Sequence, residues 1–257
     1  MENTSGTTTP LRDGPVLVEL NNVTRHFGSF TALDSISLTI RGGEVTALMG
    51  ENGAGKTTTL RLINGILRPS NGLVRIHLAG QMFDSVRDSN QVKAMTGLLP
   101  ESGGMYNRLT ATEYLHFIGS LYRLPSNQVQ EHADHFFELL SFDRRSTALE
   151  DLSRGMRQKV LLTAALVNDP RVVLLDEPLA TLDPSVSFRV KKLVREMRQD
   201  RVVLVASHSS AFVEEVADRV VLMARGKVLL EGTPASVVAQ MEVSNLEEAY
   251  LRAMEHL

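Results

Sequence analysis

The sequence predicts an α/β fold, a mostly parallel sheet with helices on both faces, interrupted by a helical insertion. Three observations carry this. Near-continuous Val/Leu stretches recur along the 257 residues, as expected of strands buried on both faces. Helical patterns lie between them, so strands and helices alternate. One strand runs directly into a glycine-rich turn and then a helix, an arrangement found where backbone N–H groups cradle an anion.

In chain order, Met1 to Pro15 is rich in Thr, Ser and Gly and has no apolar centre of a secretory signal, so residues 1–15 read as a disordered tail. Strands are expected at 17–23, 36–40, 44–49, 73–78 and 97–99, then at 172–176, 202–207, 219–223 and 227–231. From about 111 to 169 strand signal is weak. Tyr114, Phe117, Ile118 and Leu121 fall at i, i+3, i+4 and i+7, and Val129, Ala133, Phe136, Phe137 and Leu140 mark a second amphipathic helix. This segment reads as a helical insertion at about 105–168. The remainder, 233–257, reads as a C-terminal helical extension.

Composition narrows the class. A net charge of −3 gives no basic surface for nucleic acid, and the absence of cysteine removes disulfides and thiolate metal sites. No apolar run approaches the roughly 18–20 residues of a spanning helix. The chain is not expected to enter a bilayer by itself.

The strand at 44–49 leads into Gly50-Glu51-Asn52-Gly53-Ala54-Gly55-Lys56-Thr57-Thr58. This fits the phosphate-binding pattern Gly-x-x-x-x-Gly-Lys-[Ser/Thr] in its strand–loop–helix context. The loop backbone would wrap phosphate oxygens, Lys56 would reach the β- and γ-phosphates, and Thr57 would place its hydroxyl on Mg²⁺. Kinases, GTPases and ATPases all share that loop. About 120 residues on, the strand at 172–176 ends in Asp176-Glu177, where the first acid can serve the metal and the next can polarise an attacking water. Upstream, Ser153 is placed to cap a helix running to about Val167. His208 ends another strand, at the edge where open α/β sheets bind ligands, although a lone histidine is more often structural.

Taken in order, these segments resemble the ABC (ATP-binding cassette) ATPase family over about residues 16–232. Gly50 to Thr58 matches its Walker A motif, and Leu152-Ser153-Arg154-Gly155-Met156-Arg157-Gln158 its signature. Val172 to Glu177 matches Walker B, Ala180-Thr181-Leu182-Asp183 the D-loop, and His208 the switch histidine. The resemblance implies a P-loop NTPase core with an N-terminal antiparallel β subdomain and an inserted helical subdomain. It implies ATP and Mg²⁺ as cofactors, Phe27 stacked on adenine, and Thr57, Asp176 and Glu101 around the metal. Glu177 would be the general base and His208 would hold the γ-phosphate in register. Ser153 and Gly155, with Asp183 nearby, would serve the ATP of a second copy in a head-to-tail dimer. Glu101 stands where the family usually has glutamine, and Arg154 and Met156 replace the common Gly and Gln. Both departures, and the ending Asn245 to Leu251, are similar to the exporter branch related to daunorubicin-resistance and NatA subunits.

The implied role is the energising subunit of a membrane exporter, cytoplasmic and held peripherally on the membrane by a separate permease, with no nucleic-acid partner. A groove for a permease helix is expected near Tyr106, Leu109, Tyr114 and Phe117. The alternative is a soluble ABC ATPase that remodels a nucleic-acid or ribosomal partner; such relatives carry paired cassettes or basic extensions. A small-molecule kinase is opposed by the signature and His208, and a non-hydrolysing regulator by Glu177. His132, Asp134 and His135 read as a solvated helix face rather than a metal site, and Arg144-Arg145 is too short for a nucleic-acid patch.

Overall fold

The alternation seen in sequence resolves into two sheets that share one hydrophobic layer. A computed structural model describes residues 16–101 and 103–255; the expected tail at 1–15 lies outside the described residues. Strands β1 (Val16–Phe27) and β2 (Phe30–Arg41) form an antiparallel hairpin, and β3 (Val45–Met49) leads through the glycine-rich loop to helix α1 (Lys56–Ile63). Next come β4 (Asn71–Leu78), β5 (Gln81–Asp84), α2 (Ser89–Met95) and β6 (Thr96–Leu99). Helices α3 (Ala111–Leu121), α4 (Ser126–Leu139), a short 3₁₀ turn at Leu149–Asp151 and α5 (Arg154–Leu166) separate β6 from β7 (Val172–Asp176). The chain continues through α6 (Pro184–Met197), β8 (Val202–Ser207), α7 (Ser210–Val216), β9 (Arg219–Ala224) and β10 (Lys227–Gly232). It closes with α8 (Pro234–Gln240) and α9 (Leu246–Met254).

The antiparallel sheet has the order β2-β1-β4-β5, and the larger sheet β10-β9-β3-β8-β7-β6. In the larger one every pairing is parallel except β10 with β9. Strands β3, β7 and β8 are buried throughout because each face meets a different core. Leu48, Leu174 and Leu204 point toward α1 and the antiparallel sheet, whereas Ala47, Val173 and Val203 point toward α5, α6, α7 and the C-terminal helices. The phosphate loop and Asp176 emerge at the C-terminal edge of this doubly covered sheet.

A third core holds α3, α4 and α5 together around Leu115, Val129, Phe137 and Val160. Thr110 opens α3 with a reciprocal capping box to Glu113. Here the expected face of α3 is corrected. Leu121 is 65% exposed, and the buried residues are Ala111, Tyr114, Leu115 and Gly119. The helix is turned because Gly119 lets the side chain of Val129 approach; a Cβ there would lie 2.3 Å from Val129 Cγ2. Two elements, β5 and α2, were not expected from the sequence.

Candidate nucleotide site

The phosphate loop is held open by its glycines and closed on its own lysine. Gly55 begins α1 at φ 109°, a left-handed conformation that strains any other residue, and a Cβ there would meet Leu33 Cδ2 at 2.6 Å and Ala32 O at 2.9 Å. Lys56 is buried and its Nζ donates to Gly50 O at 2.6 Å and to Glu51 O at 3.1 Å. Burial lowers the Lys56 pKa, opposed by the carboxylates of Glu177, Asp176 and Glu101. The Lys56 ammonium and the backbone N–H groups at the start of α1 offer donors to a phosphate, against the charge of the three neighbouring acids.

At the end of β7, Asp176 Oδ2 accepts the Thr57 hydroxyl at 2.6 Å. Burial raises its pKa; the Thr57 hydrogen bond and Lys56 oppose the rise, and Glu101 and Glu177 add to it. The next residue turns sharply. Glu177 has φ 47°, unusual for a side chain that is not glycine, and its N–H donates to Ala206 O at 2.9 Å. This turn aims the carboxylate at the end of β8. There it accepts the Ser207 hydroxyl at 3.0 Å, the His208 N–H at 2.9 Å and lies 2.7 Å from His208 Nδ1. The Glu177 side chain is 11% exposed and that of His208 is 67% exposed. The acid is inside and its histidine faces out.

These groups surround a cavity of about 220 Å³ lined by Asn52, Gly53, Ala54, Gly55, Lys56, Thr57 and Thr58, with Glu101, Asp176 and Glu177. Its far end is aromatic. Phe27 and Phe30 are partners across the tip of the β1–β2 hairpin, 43% and 59% exposed, and both line the cavity. The Arg25 guanidinium lies 4.5 Å from the centre of the Phe27 ring and donates to Arg68 O at 2.8 Å. Reading by sequence missed Phe30, Ala32 and Glu51 in this lining. For Phe30 a signal existed: two aromatics separated by Gly28-Ser29 must face each other in a hairpin.

Ser153, Gly155, Asp183 and His208 lie outside the lining. Ser153 is exposed at the start of α5, its hydroxyl accepting the Met156 N–H at 3.3 Å. Gly155 packs on the backbone of Thr181, where a Cβ would stand 2.6 Å from the carbonyl oxygen. Asp183 caps α6 through Val186 N–H at 3.0 Å and accepts the Ser185 hydroxyl at 2.7 Å. Gln158 Nε2 donates to Glu177 O at 3.4 Å, and Lys159 pairs with Asp183 at 3.9 Å.

Among the described residues, no three His, Asp or Glu side chains converge as a metal site. His132 Nδ1 instead donates to Val167 O at 2.7 Å, and Asp134 pairs with Arg145. A groove for a permease helix was expected near Tyr106, Leu109, Tyr114 and Phe117. A cavity of about 340 Å³ lies between α3, α5 and the start of the Glu101 loop, lined by Ile66, Leu98, Tyr114, Ile118, Tyr122 and Leu161 among others. Of the four expected residues only Tyr114 lines it. Tyr106 is exposed and stacks edge-on against Phe117, ring centres 4.8 Å apart, while Leu109 packs against the helical core. No helix among the described residues is long and apolar enough to cross a membrane.

Comparison with known proteins agrees with this geometry. The sequence pattern of the ABC transporter family matches residues 33–180. The chain is 33% identical to the ABC transporter ATP-binding protein NatA of Bacillus subtilis, over 86% of this chain and 89% of that protein. It is 28% identical to the linearmycin resistance ATP-binding protein LnrL of the same organism, over 94% of this chain and 79% of LnrL. Coverage of the first curated relatives it matches ranges from 59% to 89% of their length. A solved ATP-binding subunit of an ABC transporter superposes with a TM-score of 0.84 at 25% identity, covering 93% of this chain and 99% of that one. The chain belongs to the ABC transporter family, as its ATP-binding and ATP-hydrolysing cassette.

Proposed function

We propose that this cassette energises a membrane exporter through ATP-driven, head-to-tail pairing of two copies. The observation that carries the reading is the separation of two phosphate-binding features in one chain. The cavity of Lys56 and Glu177 is complete on its own side, while Ser153 caps an exposed helix start outside that lining. A helix N-terminus with an exposed serine is suited to a phosphate that another copy presents.

Within the pair, Lys56 and the loop backbone bind the β- and γ-phosphates, and Phe27 carries the adenine. The magnesium ion fits a site of hard oxygen donors: the Thr57 hydroxyl, the Asp176 carboxylate 2.6 Å away, and Glu101 lining the same cavity. When bound it neutralises charge on the phosphates. Glu177 takes the proton of the attacking water, and His208 holds that carboxylate by its backbone N–H and Nδ1. Asp183 fixes the start of α6 beside Gly155, shaping the face that meets the second copy.

The export direction is supported by Glu101, by Arg154 and Met156, and by the similarity to LnrL, a resistance protein by name. A permease would seat a short helix in the cavity bounded by Tyr114 and Ile118 and so attach the cassette to the cytoplasmic face of the membrane. The test compares wild type and Glu177→Gln with Mg-ATP by size exclusion with light scattering. A stable ATP-dependent dimer of the variant supports the reading. A variant that stays monomeric, while wild type hydrolyses ATP as a monomer, overturns it.

A further inference from the structure

The C-terminal helix reaches into the phosphate loop. Tyr250 in α9 is 6% exposed, and its hydroxyl accepts the backbone N–H of Glu51 at 3.2 Å. That N–H belongs to the peptide unit joining Gly50 to Glu51, and the carbonyl of the same unit, Gly50 O, accepts Lys56 Nζ at 2.6 Å. One peptide plane is thus held at its two ends by Tyr250 and by the lysine of the loop. Glu51 O in turn accepts Lys56 Nζ at 3.1 Å and the Ala54 N–H at 3.1 Å.

Helix α9 is itself anchored. Leu246 and Ala249 are buried in the core shared with α6 and α7, and Leu246 N–H donates to Glu214 Oε1 at 2.7 Å. Glu214 lies in α7, the helix that follows His208. The C-terminal helix therefore ties the phosphate loop to α7, the helix that follows His208, although it lies beyond the residues matched by the family pattern.

We infer that Tyr250 is a positioning residue for ATP turnover, holding the Gly50–Glu51 peptide in the orientation that places Lys56. Without the hydroxyl, a part-buried N–H loses its acceptor and this peptide is free to rotate, carrying away an acceptor of the lysine. The inference rests on ATP binding at this loop and goes beyond it, because it makes the C-terminal helix part of the site.

The experiment uses the full chain with Tyr250→Phe, which keeps the ring and removes the acceptor. We expect KM for ATP to rise roughly tenfold with kcat changed far less, and exchange of the Glu51 amide to accelerate by roughly tenfold. Leu246→Ala, which loosens the same helix but keeps the hydroxyl, is expected to lower the melting temperature and leave KM unchanged. Lys56→Ala controls for the site and should abolish nucleotide binding. If Lys56→Ala abolishes binding while Tyr250→Phe leaves KM unchanged, the positioning role is overturned and the site stands. Parallel rises in KM for Tyr250→Phe and Leu246→Ala also overturn it, because packing alone would then explain both. A wild-type Glu51 amide that exchanges as fast as an open loop overturns it without any variant. Undiminished nucleotide binding by Lys56→Ala instead sinks the assignment of the loop.

Discussion

The phosphate loop and the signature segment each lead into a helix, yet they are built differently. At the loop, Lys56 is buried, bonded to two carbonyls and surrounded by Glu177, Asp176 and Glu101. At the signature, Ser153 is exposed and its hydroxyl caps its own helix. The first is preorganised by the chain's own core. The second presents its polar end outward, where the proposed pairing would bring a second copy's phosphate.

The contrast breaks most visibly at Glu177. Replacing it with Gln removes the proton acceptor and should cut ATP turnover by about 10³-fold, measured by phosphate release, while ATP binding persists. Ser153→Asp sharpens the comparison. Asp caps a helix as well as Ser, so melting should hold, but a carboxylate now faces the second copy's phosphate. Turnover should fall by roughly 10²-fold with nucleotide affinity of the single chain unchanged. A matching loss of affinity would mean the two halves are not separate. Phe27→Ala should weaken ATP binding by about tenfold, read by calorimetry, since base stacking is worth ~1–3 kcal/mol.

The smallest effect concerns stability. Burial holds the Asp176 carboxyl above the ordinary aspartate value. Between that ordinary value and the raised one, the folded chain keeps a proton that the unfolded chain releases, so stability falls as pH rises through this window. Asp176→Asn carries no such cost. Without nucleotide it should melt about 3 °C higher than wild type near neutral pH, and the gap should close below the ordinary aspartate pKa.

The strands of the larger sheet were legible because both of their faces are apolar, and the loop, Asp176 and Glu177 because their spacing repeats a known chemistry. Helix α2 was not, since Val92 is its one buried residue and gives no period. Strand β5 pairs at the sheet edge with Gln81 and Met82 exposed, which leaves no alternation to read. In α3 the apolar spacing was real but its direction was set by Gly119 against Val129, a tertiary fact. The contact of Tyr250 with Glu51 spans 199 positions, and no local pattern announces it.

The junction after β7 has one more consequence. Glu177 and Thr181 both hold left-handed backbone, with φ of 47° and 66°, and between them the chain has little slack. Gly155 sits against Thr181, Gln158 holds the Glu177 carbonyl, and Lys159 reaches Asp183. The start of α5 is therefore tied by these contacts to the backbone that carries the Glu177 carboxylate of the same chain. In the proposed pair, one helix would thus touch the neighbour's nucleotide at its start and the chain's own acid through Gln158.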